Sequence, residues 1–387
     1  MSSGNDSHPI ARILTKLQEI YPFAKPVNQL VGSTEFQNRI FDASNFGLSL
    51  GGALLYAQCG DSSLRSPGLV VMGPGYTFGI GLYEVEGTIN AHLIAPSGSQ
   101  WVAGVLEFTK WLLRNGSDRV YVRFLPIESS QNLPARLFLD PSDQYRWCPK
   151  APYEDETYCH RLIDLEEIVE VTQDGFKIQP LVVNGSKNFR NKFRHAHSRF
   201  ENFLSRNQLK YELVCLSQPA QLWSYKSIVD RHFSHLREHG RAVGSTSLDY
   251  EQMLRFFPCN SERSIAFVGQ LINSSQKCLP VSLFLGEFTS PSSGGLYCTI
   301  TDRDENLVRR EFHLIDTQGL TAIGQYAYGQ IFAKLRSLGW KHVDLGGSET
   351  KELDRFKQQI GCKEHKTVWR VCTHNQLAFF DASMHET

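Results

Sequence analysis

The sequence predicts an α+β protein made of two tandem copies of one strand–helix–strand unit. Three observations predict it. Apolar residues switch between alternate spacing and 3.6-residue spacing, glycine turns mark the switch points, and the same order recurs in both halves. The composition agrees: 387 residues, 41% hydrophobic, with 40 Lys+Arg against 40 Asp+Glu, is that of ordinary globular domains. At roughly 150 residues per domain this length makes two to three domains.

In the N-terminal half, NAHLIAP (90–96) reads as a strand and Ser97-Gly98-Ser99 as a turn. A helical stripe at Trp101, Val105, Phe108 and Leu112 follows, closed by Asn115-Gly116, and RVYVRFL (119–125) is the next strand. In the C-terminal half, EFHLID (311–316) is expected to be the matching first strand, with Thr317-Gln318-Gly319 as its turn. The stripe Leu320, Ile323, Ala327, Ile331, Leu335 and Leu338 ends at Gly339, before the strand KHVDLGG (341–347).

Between the copies, residues 186–207 form a basic amphipathic helix. Phe189, Phe193, Ala196, Phe200 and Phe203 share one face, and six Lys or Arg side chains stand against one acid, Glu201. A helix in 218–240 precedes three strand runs, SIAFVGQLI (264–272), LPVSLFLGEF (279–288) and GGLYCTI (294–300), which predict an antiparallel meander. TVWRVC and QLAFF are read as a terminal strand pair. Turn signals in TQDGF and NGS set a boundary that divides the chain into 1–178 and 179–387.

Zero net charge disfavours a non-specific polyanion binder. The polar start MSSGNDSHPIARI lacks a signal-peptide core, and no run reaches the length of a membrane span, so a cytoplasmic protein is expected. Nine cysteines without a C-x2-C pair indicate neither a disulfide framework nor a zinc ribbon. His232, His235 and His239 share a helical face but have no carboxylate or cysteine arranged with them, so no metal is expected. Gly73-Pro74-Gly75 lacks the Lys-Ser/Thr of a phosphate loop and reads as a hairpin turn.

The order SKNFRNKFR, GGLYCTI, Thr317-Gln318-Gly319, a helix, GWKHVDLGGSE and DRFKQQIG resembles the Fem-type (FemX-like) branch of the GNAT acyltransferases. That branch is related to the BioF-associated acetyltransferase domain and the soluble domain of lysyl-phosphatidylglycerol synthases. The resemblance covers about 185–370 and implies two tandem GNAT-like folds, the N-terminal one degenerate and acceptor-side, the C-terminal one catalytic. The chain departs from the GNAT pyrophosphate loop, with Thr321 at the position of the family's first glycine.

Acyl transfer to an amine needs a held donor, a deprotonated nucleophile and donors for the oxyanion. The helix opening at Thr317, Gln318, Gly319 and Leu320 is expected to offer bare amides to the donor. Arg190 and Arg194 on the basic helix are the expected phosphate contacts. Asp344 is the expected base, or else a cap for the Gly346-Gly347-Ser348 turn; Glu349 and Asp302 are second choices. Lys357 is assigned to a donor phosphate or the oxyanion, with a solvated helix lysine as the alternative. His313 is read as a strand histidine without a catalytic role.

The expected function is N-acyl transfer from acyl-CoA or an acyl carrier protein to an amine of a peptide or small molecule. An aminoacyl-tRNA-dependent ligase and a non-catalytic binding protein keeping the fold are the alternatives.

Overall fold

The computed structural model describes residues 8–43, 49–61, 65–140, 160–172, 175–178, 187–240, 247–257, 262–348, 351–365 and 367–382. The chain divides into two compact units, Met1–Ala151 with Lys366–Thr387, and Pro152–His365. This differs from the expected boundary at 178/179. The reason is strand exchange along the chain: His160–Asp164 enters the second sheet, and Thr367–Thr373 returns to the first. Edge pairing, invisible to local turn signals, decides where these segments go.

In the first unit, β1 (Leu69–Gly73), β2 (Tyr76–Val85) and β3 (Thr88–Ser97) form an antiparallel meander. Gly73 pairs with Tyr76, so Pro74-Gly75 closes a two-residue hairpin in which Gly75 has φ 78°. Helix α1 (Trp101–Arg114) then returns the chain to β4 (Arg119–Pro126), parallel to β3. The expected stripe is present: Val105, Phe108 and Leu112 are buried in one core with Leu93, Val120 and Val122. Thr367–Thr373 completes this part of the sheet by pairing with β4. Its expected partner, QLAFF, is not a strand. Thr373 and Gln376 form a capping box, and Leu377–Ala382 is a helix.

In the second unit the elements are β5 (His160–Asp164), α2 (Lys187–Arg206), β6 (Lys210–Cys215) and α3 (Lys226–Glu238), then β7 (Ser264–Ile272), β8 (Cys278–Ser290) and β9 (Ser293–Thr301). They continue with α4 (Glu305–Phe312), α5 (Ile323–Ser337), β10 (His342–Asp344), α6 (Lys351–Gln359) and β11 (Lys363–His365). The described sheet runs β6-β7-β8-β9-β10-β5-β11. The expected meander is β7-β8-β9, and β10 lies parallel to β9. Each unit thus has the expected order of meander, helix and parallel strand.

The segment 311–316 is not a strand. Asp304 accepts the Leu307 amide at 2.9 Å and starts α4, Val308 and Phe312 bury one helix face, and His313 ends it in the left-handed region at φ 55°. The first strand of the second copy is therefore β9. The His-Leu-Ile shared by the two halves has no structural equivalence.

The core beneath β9 and β10 is made by Ala327, Ile331 and Leu335 of α5 with Phe284, Val343 and Trp340. The Trp340 ring lies where a Cβ on Gly294 would be, so glycine at 294 is a packing requirement. Gly294→Ala is expected to destabilise the protein by about 1–3 kcal/mol, read as a lower melting temperature.

Two histidines are held neutral. Burial, with the guanidinium groups of Arg123 and Arg65, keeps His92 well below the ordinary range, and burial lowers His197 to about 4. Below pH 6.5 the unfolded chain binds protons that the folded chain refuses, so stability falls as pH drops from about 6.5 towards 4. The melting temperature should decline over that window, and less steeply in His197→Gln.

Candidate active site at the divergence of two strands

β10 accompanies β9 for three register pairs only: Ser293 with His342, Gly294 with Val343, and Gly295 with Asp344. β9 then continues to Thr301 against β8. The chain beyond β10 follows β5 instead, with the Leu345 amide donating to Arg161 at 2.9 Å and the Arg161 amide to Gly346 at 3.1 Å. Among the described residues no strand pairs with Leu296–Thr301 on the side that β10 has left. The register against β8 also slips there: Leu285 faces Cys298 but Gly286 faces Leu296, making Tyr297 the extra residue of a bulge.

Asp344 stands at the fork. Val343 and Leu345 belong to the core on the α5 side, so alternation turns Asp344 to the opposite face. Its Oδ1 accepts the Gly346 amide at 2.7 Å, and its Oδ2 lies 3.1 Å from His160 Nδ1. The cap expected as the alternative is therefore formed, and a buried histidine is added to it.

Lys357 is 5% exposed. Its Nζ donates to the carbonyls of Leu345 at 2.7 Å, Gly346 at 3.2 Å and Gly347 at 2.5 Å. These three bonds use the donors of an ammonium, so the geometry makes Lys357 the clamp of the turn after Asp344 and not a solvated helix lysine. Beside it Arg161 forms a two-pronged pair with Asp354, at 2.7 and 2.8 Å, and Gln358 donates to the same carboxylate. Burial pushes the nearby Cys362 thiol up, which leaves it a neutral packing group.

The turn at 316–321 differs from expectation. The Leu320 amide donates to Thr317 O at 3.0 Å and the Gln318 amide to Asp316 Oδ1 at 2.7 Å. These amides are used within the turn and are not bare. The Thr317 hydroxyl donates to Glu305 at 2.8 Å. Gly319 has φ 109°, and a Cβ there would lie 2.7 Å from Arg199 O, so its glycine serves the turn and its packing on α2. Arg206 of α2 binds Asp316 and the Gln318 carbonyl, both at 2.9 Å, and Arg199 reaches Thr321 at 3.2 Å. Arg194 donates to Asn191, at 3.2 Å on the exposed face. The side chain of Arg190 lies outside the described residues, as does Glu349.

The second choices also have structural employment. Asp302, buried, pairs with Arg231 at 2.5 Å. His232 Nδ1 lies 3.0 Å from Thr301 O, and the His235 and His239 ring centroids lie 4.1 Å apart with the rings tilted by 33°.

The structure thus gathers Asp344 and Lys357 at one turn, and Thr317, Gln318, Gly319 and Leu320 against α2. Sequence reasoning missed four residues. His160 and Arg161 reach the turn from 184 and 193 residues away. Glu287, 3% exposed, is the register partner of Gly295 across β8 and β9. Arg303 follows the open edge of β9, and its guanidinium packs on Gly324 in the first turn of α5, 2.6 Å from where a Cβ would be. The only local signal was the Asp-Arg pair after GGLYCTIT.

No family model matches the chain, and no curated protein matches it. Among solved structures, a conserved protein of unknown function from Bacteroides thetaiotaomicron is similar at TM-score 0.53 and 9% identity, over 88% of this chain and 97% of that one. The C-terminal domain of a protein described as a lysylphosphatidylglycerol synthetase, from Agrobacterium fabrum, is similar at TM-score 0.50 and 12% identity, over 91% and 96%. FemX aligns at TM-score 0.48 and 10% identity, over 80% and 88%. The chain shares the fold of the first two over most of its length. No helix among the described residues is long and apolar enough to cross a membrane.

Lys357→Met is expected to leave three carbonyls without their donor and to cost about 3 kcal/mol or more, measured as a lower melting temperature. A solvated lysine would show a change near zero.

Proposed function

We propose that this chain is an acyltransferase that moves an acyl group from a thioester, acyl-CoA or an acyl carrier protein, to an amine. The observation that carries this reading is the open edge of β9, Leu296–Thr301, which ends beside a half-buried carboxylate at Asp344. An edge of unpaired strand positions accepts a linear amide-bearing chain by main-chain hydrogen bonds, and the arm of a pantetheine thioester is such a chain. At its far end the Arg303 guanidinium packs on Gly324 in the first turn of α5, which places positive charge where the donor's phosphate would lie. This replaces the Thr317–Leu320 turn as the donor contact.

The ammonium of the acceptor gives one proton to Asp344, and its nitrogen attacks the thioester carbonyl carbon. The carbon–nitrogen bond forms, the carbon–sulfur bond breaks, and the nitrogen's second proton goes to the leaving thiolate. His160 beside Asp344 orients the carboxylate that takes the first proton.

The aminoacyl-tRNA alternative drew on the basic face of α2. Arg199 and Arg206 bind the 316–321 turn, which leaves fewer of its charges for a polyanion. Thioester transfer is therefore the reading retained.

Incubation with labelled acyl-CoA and an amine should release free thiol and form an amide. Asp344→Asn should lower kcat by roughly 10²–10⁴-fold with the melting temperature preserved. Consumption of charged tRNA with a steep salt dependence, and none of thioester, would overturn it.

A further inference from the structure

The first unit carries an open cleft that the candidate active site does not use. It has a volume of about 60 Å³ and is lined by Pro9, Arg12, Ile13 and Lys16 of the helix Pro9–Ile20 and by Asn115 and Gly116 after α1. The sequence dictates both walls. Ile10, Ile13 and Leu17 turn one helix face into the core, which leaves Arg12 and Lys16, one turn apart, exposed on the flank beside Ile13. Opposite them α1 stops at Asn115. Gly116, at φ 114°, reverses the chain there, and the Ser117 amide donates to Leu112 at 3.0 Å. A Cβ on Gly116 would lie 3.7 Å from Ile13 Cδ1, so turn and helix meet at an apolar floor.

The two cations have nothing to answer their charge. Among the described residues neither Arg12 nor Lys16 forms an ion pair or a side-chain hydrogen bond, although Glu19 stands three residues beyond Lys16. The groups of the opposite wall are engaged with one another. Asn115 gives its amide to Trp111 and Leu112 and its Nδ2 to Trp111 at 2.9 Å, and Asp118 accepts the Ile89 amide at 2.7 Å. Like charges at i and i+4 repel on a helix. Arg114, in the last turn of α1, adds positive charge beside the same turn. An oxyanion in the cleft would relieve that repulsion and take charge-assisted bonds from both side chains. The guanidinium fork binds two oxygens and the ammonium a third, which a tetrahedral phosphate supplies and a carboxylate, with two oxygens, does not. The cleft holds one such group, whereas sites for whole cofactors measure about 300–1,000 Å³.

We propose that this cleft is an oxyanion site for a phosphate group, free or carried by a small soluble molecule, with Arg12 and Lys16 as its donors. The site is independent of the acyltransferase reading, since none of its residues belongs to the second unit.

Titration of the full chain with sodium phosphate at constant ionic strength, followed through the backbone amide resonances of residues 12–16 and 115–116, tests binding without any transfer. Saturable shifts confined to those residues are expected, with a Kd of about 1–10 mM for two exposed charge-assisted contacts. Arg12→Gln and Lys16→Gln should each weaken binding at least about 5-fold with the melting temperature unchanged, because both side chains are exposed. Arg12→Lys keeps the charge, loses the fork and should weaken binding about 3-fold. Glycerol 3-phosphate that binds more tightly than inorganic phosphate assigns a carried phosphate, and equal or weaker binding assigns free phosphate; both support the site. The proposal is overturned by shifts that a parallel titration with sodium chloride reproduces, or by shifts that survive the double substitution Arg12→Gln, Lys16→Gln. Unmoved resonances at about 50 mM phosphate overturn it as well.

Discussion

The second unit depends on how the chain leaves the sheet after Asp344. A parallel strand that stayed beside β9 would pair its whole edge. Here the chain turns at Gly346, where φ is 68°, and two side chains hold it: Asp344 accepts the Gly346 amide, and Lys357 donates to three successive carbonyls. A buried ammonium satisfied by three carbonyls and flanked by the Arg161–Asp354 pair is a stiff construction, because removing any partner strands a polar group away from water. The unpaired edge of β9 among the described residues and the place of Asp344 at the fork both follow from that turn.

The glycines of β9 act with it. Gly294 gives its Cβ space to the Trp340 ring on one face, and Gly295 is the register partner of both Glu287 and Asp344. Adjacent glycines usually weaken a strand. In this strand they let an indole pack from one side while polar groups line the opposite side, which joins the core of the unit directly to its candidate site.

Two arginines of the basic helix organise the protein itself. Arg199 and Arg206 fasten the turn before α5 to α2. The positive charge beside the start of α5 comes instead from Arg303, at the end of the strand whose edge is open. Which charges of a basic helix face position a turn is decided by partners distant in sequence, and only the tertiary structure brings them together.

Much of this was legible in the sequence because it is local. The stripe of α5, the meander β7-β8-β9, the basic helix α2 and the strand–helix–strand of the first unit each follow from residue spacing and turn chemistry within a few tens of residues. Asp344 and Lys357 were also identifiable from short motifs, and they do share one turn. Misreading began where local signals conflict: Glu311–Asp316 has a strand's alternation, but the Asp304 cap and the Val308–Phe312 pair favour a helix that ends at His313. Long-range pairing was decided by tertiary structure alone. His160 and Arg161 meet Asp344 and Asp354, Thr367–Thr373 returns to the first unit, and Glu287 aligns with Asp344 through an intervening glycine. The physical reason is that strand order and register arise from contacts between distant segments, which burial rewards only once the sheet is assembled.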